Sequence, residues 1–263
     1  MNKTALITGA SGGIGLELAR LHASKGDNLV LVARSREKLA EVKTELESKF
    51  KVSIYNIVKD LSVKDAAKEV FYEVKKQNII IDYLINNAGF GDFGLFAKSN
   101  WEKQEGMINL NITALTQLTW LFLPEMISRG EGKILNVSSL AAFQPGPTMS
   151  VYFASKAFVM SFSEALNNEV RDKGITVTTL CPGPTESNFH AVVLGDPKLV
   201  RERKMMTAKE VAKIGYRAMM NGKSVVIPGF INSFLVFASR FVPRELVIKM
   251  IRRIQENKNY HRM

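Results

Sequence analysis

The chain has 263 residues, 46% of them hydrophobic, and a net charge of +11 from 36 basic and 25 acidic residues. That length and balance fit one globular domain with a large core. A single cysteine, Cys181, excludes internal disulfides and fits a reducing compartment; no apolar run reaches the roughly 18 residues of a membrane span, and no nucleic-acid motif accompanies the positive charge.

Apolar runs alternate with helical patterns along the chain, which predicts an α/β fold built on a parallel sheet covered on both faces. Met1-Asn2-Lys3 leads directly into the first strand, near 3–8, so no secretory leader is expected and the protein reads as cytoplasmic. A tight turn, Gly9-Ala10-Ser11-Gly12-Gly13-Ile14-Gly15, then opens a helix over 13–25. Glycines at such a turn let the backbone approach a pyrophosphate, and the helix behind them offers free N–H groups and a positive dipole end. Gly9, Ser11, Gly13, Ile14 and Gly15 are therefore the candidate phosphate contacts.

The second strand, near 28–33, ends Ala33-Arg34, with no carboxylate until Glu37. An acid at this place would bind a ribose 2′-hydroxyl, whereas arginine suits a 2′-phosphate. A charge-assisted contact of about 1.5–3 kcal/mol favours NADP(H) over NAD(H) by roughly one to two decades. Strands near 51–57 and 82–86 follow, with helices over 35–48 and 62–77 between and after them. Beyond the fourth strand lie Asn87, Ala88 and Gly89, then a long helical pattern over 102–128 that contains Asn111.

A fifth strand near 132–138 runs into Ser139, and a helix over 150–172 carries Tyr152 and Lys156. Four residues apart, those two side chains leave one helix face. An ammonium beside a phenol is expected to favour the phenolate and bring its proton into useful range, below the reference pKa of about 10. A strand near 175–181 leads to Pro182-Gly183, and residues 184–206 read as a substrate lid holding Phe189, His190, Leu194, Leu199, Met205 and Met206. A capping-box helix over 208–221 and a strand near 224–227 complete the alternation.

The tail from Pro228 sets Phe230, Ile231, Phe234, Leu235, Phe237 and Phe241 beside many basic residues. Such a face suits an anionic lipid surface, a partner subunit or the substrate pocket, and burial against protein is the first expectation. No metal cluster is legible, and Cys181 at a strand end reads as a buried thiol.

Taken together these motifs resemble the short-chain dehydrogenase/reductase family over nearly the whole chain. Gly9–Gly15 is similar to its TGxxxGxG motif, Asn86-Asn87-Ala88-Gly89 to its NNAG motif, and Ser139 lies thirteen residues before Tyr152, as is usual there. The wording around Asn87 and Pro182 resembles a bacterial DltE-like branch. The resemblance implies a single Rossmann-type doubly wound sheet and hydride transfer between NADP(H) and a carbonyl or secondary alcohol. It implies a catalytic set of Asn111, Ser139, Tyr152 and Lys156, with Asn111 interrupting a helix and holding a relay water. It places Asp60 against the adenine, Asn87, Ala88, Gly89, Pro182 and Gly183 around the cofactor, and Thr185 or Ser187 against the nicotinamide. It also implies a homodimer or homotetramer through the helices 102–128 and 150–172, where Leu115, Leu118, Leu121 and Phe158 offer apolar surface. The expected substrate is a small-molecule carbonyl or secondary alcohol, in the first place a fairly apolar ketone, with steroid, 3-oxoacyl and aliphatic or aromatic ketones all open. The alternatives are a cofactor-bound sensor or scaffold without turnover and a peripheral membrane reductase of lipid-like ketones.

Overall fold

The computed structural model describes residues 2–186 and 205–258. Its centre is a seven-stranded, wholly parallel sheet. The first half of the chain supplies β1 (Thr4–Thr8), α1 (Gly13–Ala23), β2 (Asn28–Ala33), α2 (Arg36–Lys49), β3 (Ile54–Val58), α3 (Ala66–Lys76) and β4 (Tyr83–Asn86). Then come α4 (Trp101–Ile108), a π-helical turn (Asn109–Ala114), α5 (Leu115–Arg129), β5 (Gly132–Val137), α6 (Ser150–Val170) and β6 (Ile175–Leu180). The remainder is β7 (Thr185–Glu186), β8 (Met206–Thr207), α7 (Ala208–Met220), β9 (Val225–Val226), α8 (Phe230–Ser239) and α9 (Arg244–Lys258). Strand order is β3-β2-β1-β4-β5-β6-β9.

Alternation along the strands decides which helices cover which face, because successive side chains point to opposite sides. Ala5 and Ile7 join Leu29 and Leu31 under α1, α2 and α7, with Leu18, Leu39, Leu46 and Val211. Leu6, Val30 and Val32 face the other way, against Val70, Phe122 and Leu166 of α3, α5 and α6. Each strand is thus apolar on both sides, which only a sheet buried on both faces can use.

The chain reverses its winding between β1 and β4, neighbours in the sheet but distant in sequence. Such a point opens a crevice at the carboxyl ends of the strands, where ligands bind. Thr8 closes the floor of that crevice: its hydroxyl accepts from the amides of Asn87 and Ala88, both at 3.0 Å. Asn87 Nδ2 returns a bond to the Thr8 carbonyl at 2.9 Å, so the ends of β1 and β4 are tied twice.

Several boundaries differ from the sequence expectation. The pattern over 102–128 is not one regular helix, because the π-helical turn inserts between α4 and α5 and carries Asn111 inward. The helix expected from residue 62 starts at Ala66, since Asp60 first accepts from the Ser62 amide and hydroxyl and holds a turn. Leu115 and Leu118 are 4% and 1% exposed in the core, so they are not free for a subunit interface, whereas Trp120 and Phe158 are exposed large apolar residues of α5 and α6. The expected capping box of α7 is present, with Thr207 accepting from the Glu210 amide. Of the expected lid, Ser187, Phe189, His190, Leu194 and Leu199 lie outside the described residues, while its two ends pair as β7 and β8. No helix among the described residues is long and apolar enough to cross a membrane.

Candidate active site

The phosphate turn is built by exclusion of side chains. A Cβ on Gly15 would stand 2.3 Å from the Gly9 carbonyl oxygen and 2.5 Å from Asn87 Nδ2, and one on Gly9 would stand 2.8 Å from the same Nδ2. Gly13 adds a positive φ of 53°, which a side chain would strain. Outward the turn is open, since a Cβ on Gly12 would meet nothing within 4 Å. The first turn of α1 has no side-chain cap and no acidic residue, so its N–H groups and positive dipole end remain available. With Ser11 and Ile14 on the same half-exposed turn, these residues fit a dinucleotide pyrophosphate.

Arg34 and Asp60 stand together at the ends of β2 and β3. Arg34 Nη1 is 3.7 Å from Asp60 Oδ2, and the Arg34 side chain is 76% exposed. Burial opposes the Asp60 charge, but the Ser62 hydroxyl and amide, with Arg34, outweigh it and hold the carboxyl below its usual range. A loose, exposed ion pair is worth about 0–1 kcal/mol, so the guanidinium turns toward a phosphate at little cost.

Four side chains gather at the ends of β4, β5 and β6. Ser139 follows β5 and starts a short 3₁₀ turn, where its hydroxyl accepts from the Ala141 amide at 3.1 Å. The same hydroxyl is hydrogen-bonded with the Tyr152 phenol from the first turns of α6. One helical turn on, Lys156 Nζ donates to the Val137 carbonyl at 3.0 Å and lies 5.9 Å from the Tyr152 ring centroid. Asn111 uses both Nδ2 protons, on the Phe90 carbonyl and Ser155 Oγ, each at 3.0 Å, while its Oδ1 accepts from the Phe90 amide. Gly89 lets both groups close on the backbone: a Cβ there would sit 3.0 Å from Asn111 Oδ1 and 3.2 Å from Lys156 Nζ.

The electrostatics correct one expectation. Burial pushes the Tyr152 phenol up to about 12, and the Ser139 hydrogen bond only partly opposes it. Burial likewise pushes the Lys156 ammonium down to about 8. Lys156 Nζ donates to the Val137 carbonyl and lies over the ring, and burial outweighs its charge in setting the direction of the phenol's shift. Cys181 is fully buried and its thiol is pushed up to about 12, again by burial, which makes it a poor nucleophile.

The turn after β6 closes the site. The Pro182 carbonyl accepts from the Leu140 amide at 2.9 Å, and Thr185 Oγ1 donates to the Gly183 carbonyl at 2.9 Å. Gly183 lets the Asn232 side chain of α8 approach closely, since a Cβ placed there would stand 2.9 Å from Asn232 Nδ2. Opposite, an apolar wall forms around Tyr152 from Met107, Met149 and Phe153, with Phe90, Phe93 and Ile251 of α9 packed on it. The tail therefore meets this wall through Ile251, whereas Phe230, Ile231, Phe234, Leu235, Phe237 and Phe241, expected to bury against protein, are exposed in this chain.

Sequence reasoning missed the supporting groups. Ser155 bridges Asn111 and the Tyr152 carbonyl, to which it donates at 2.7 Å, and Ser138 donates to the Lys156 carbonyl at 2.7 Å. Small polar residues flanking Tyr152 and Lys156 on a helix face were the available signal.

A family model described as short chain dehydrogenase matches residues 3–196. The very-long-chain 3-oxoacyl-CoA reductase-A of Danio rerio is 37% identical over 186 residues, 69% of this chain and 58% of that protein, so the match spans less than two thirds of that relative. A short-chain dehydrogenase from Sphingobium yanoikuyae in complex with NADPH superposes with a TM-score of 0.79 at 32% identity, covering 87% of this chain and 88% of the other. The bulky-bulky ketone specific alcohol dehydrogenase from Comamonas testosteroni, in its orthorhombic crystal, gives a TM-score of 0.78 at 32% identity over 90% and 92% of the two chains.

Proposed function

We propose, for a chain that belongs to the short-chain dehydrogenase family and is an NADP(H)-dependent oxidoreductase, that its reaction is reduction of a fairly apolar ketone at Ser139, Tyr152, Lys156 and Asn111. The observation that carries this reading is the hydrogen-bonded Ser139–Tyr152 pair, set beside Lys156 and inside an apolar wall. When bound, NADPH supplies the hydride that reaches the carbonyl carbon.

Ser139 orients the substrate by turning its one hydroxyl proton from the Tyr152 oxygen to the carbonyl oxygen. Tyr152 donates its phenolic proton to that oxygen as negative charge develops. A phenol pushed up to about 12 is fully protonated near neutral pH, the state that reduction requires. Lys156 stabilises the transient phenolate with its charge and returns a proton to it, and a value of about 8 lets it do both near neutral pH. Asn111 fixes the Phe90 backbone and, through Ser155, the start of α6, so its side chain is a positioning group. The relay water that the resemblance implies would bind near Asn111 and Lys156, which approach each other beside Gly89.

On the cofactor side, the Gly9–Gly15 turn would hold the pyrophosphate, Arg34 the 2′-phosphate, and Asp60 the adenine. Asn87, Ala88, Gly89, Pro182, Gly183 and Thr185 would line the nicotinamide half, with Ser187 as the alternative to Thr185. The substrate class follows from Phe90, Phe93, Met149, Phe153 and Ile251, an apolar wall that offers few polar contacts. Bulky ketones and 3-oxoacyl thioesters, named for the relatives, are the compounds to try first.

The test is NADPH oxidation against a panel of bulky ketones, oxoacyl thioesters and steroids. Turnover on an apolar ketone with NADPH supports the assignment; tight NADPH binding without turnover on any of them would favour a cofactor-bound sensor.

A further inference from the structure

Helix α8 is turned inside out relative to an ordinary surface helix. Its polar side chains are spent on the protein: Asn232 Nδ2 donates to the Pro228 carbonyl at 2.7 Å, and Ser233 Oγ donates to the Ile227 carbonyl at 3.2 Å. Its large apolar residues point outward instead. Phe230, Ile231, Phe234, Leu235, Phe237 and the following Phe241 are 87%, 72%, 58%, 58%, 57% and 75% exposed, and α8 has no buried residue. At about 200 Å² for a fully exposed ring, the four phenylalanines alone present on the order of 500 Å². Contiguous apolar patches of that size mark interaction surfaces.

Helix α9 extends the same surface. Val247 and Ile251 face inward, while Leu246, Met250 and Ile254, spaced four apart, form an outward stripe at 52%, 54% and 41% exposure. Exposed Lys249 and Arg253 follow that stripe three residues after Leu246 and Met250, and exposed Arg240 and Arg244 stand at the junction of the two helices. From Pro228 to Lys258 the sequence holds six basic residues and two acidic ones.

We propose that α8 and α9 form a docking surface for an anionic phospholipid bilayer, with the phenylalanine face inserted at the headgroup boundary and the basic residues on the lipid phosphates. The charge decides between a bilayer and a second copy of this chain. Two such tails brought face to face would oppose like charges, whereas anionic headgroups neutralise them. The same helices touch the site, through Asn232 at Gly183 and Ile251 at the wall around Tyr152. Docking therefore sets the pocket at the lipid surface, where a lipid-like carbonyl compound partitions; this last step rests on the proposed reductase reading, and the docking itself does not.

The experiment is flotation of the full chain with vesicles of phosphatidylcholine alone and with about 30 mol% phosphatidylglycerol. Wild type should float at least tenfold more with the anionic vesicles, and about 0.5 M salt should release much of it. The exposed-residue variants F230S/F234S/F237S and R244E/R253E should each lose flotation while retaining NADPH binding and turnover on a water-soluble ketone. Failure of wild type to float with either vesicle, or equal flotation by both variants, would overturn the proposal. A dimer in light scattering that F230S/F234S/F237S converts to monomer, with no flotation, would give the face to a second copy. NADPH oxidation is read separately, so loss of docking and loss of the reductase assignment remain distinct results.

Discussion

Lys156 offers a test of the site that does not depend on finding the substrate. Its ammonium is buried and held from an ordinary 10.5 down to about 8 in the folded protein. Two and a half units, at about 1.36 kcal/mol each, correspond to about 3 kcal/mol of destabilisation carried by the charged form. The sign follows from proton counting: between about 8 and 10.5 the unfolded chain binds more protons than the folded one. The penalty is therefore complete below pH 8 and is relieved as pH rises toward 10.5, so stability rises across that window. Lys156→Met keeps the length of the side chain and removes the charge. Denaturant unfolding of cofactor-free wild type and variant should show the wild type gaining roughly 3 kcal/mol on the variant between pH 7 and 10.5. Titrating groups distant from Lys156 are present in both proteins and cancel in the difference, while the coupled Cys181 adds a smaller contribution of its own. Parallel stability curves would refute the buried, depressed ammonium and with it the proton-return role of Lys156.

Further outcomes follow from the same geometry. Reduction should slow as pH rises through about 8, because Lys156 then loses its proton; a kcat profile flat to pH 9.5 would contradict this. Arg34→Ala should weaken NADPH binding by roughly one to two decades and leave NADH binding within about threefold, as read by fluorescence titration; an equal loss for both would remove the 2′-phosphate role. Gly15→Ala must force a Cβ into the Gly9 carbonyl and Asn87, so NADPH affinity should fall at least about tenfold along with thermal stability. Thr8→Val orphans the Asn87 and Ala88 amides, at a cost of about 1–3 kcal/mol for each donor left without water; a loss under about 0.5 kcal/mol in denaturant melts would show that the tie is dispensable.

Local signals made most of the fold legible. The apolar strands, the glycine turn and the Thr207 capping box each depend on residues a few positions apart, and all appear where the pattern puts them. Gly26, Gly174 and Gly222 take positive φ just past helix ends, the left-handed position that glycine fills without strain. What depends on distant packing was not legible. The sign of the Tyr152 shift comes from burial by α4, the 3₁₀ turn and the tail, and no spacing between Tyr152 and Lys156 encodes it. Leu115 and Leu118 read as apolar surface, but periodicity alone does not say which apolar stripe a helix gives to its own core. The same ambiguity hid the reversal of α8, whose polar stripe faces the protein. His22 was equally silent in the sequence: it is fully buried, 2.7 Å from Asp27 and against the Tyr83 and Tyr216 rings.

The measurement closest to the central claim is single-turnover NADPH oxidation by Tyr152→Phe, on the best ketone of the panel, beside NADPH titration of the same variant. The phenyl ring keeps the packing against Phe153 and the apolar wall and removes only the hydroxyl that Ser139 holds. Turnover should fall by about three orders of magnitude or more, the upper part of what a positioned general acid contributes, while the NADPH Kd stays within about threefold. A variant that binds NADPH and still turns over within about tenfold of wild type would show that the proton comes from elsewhere and that Tyr152 is not its donor.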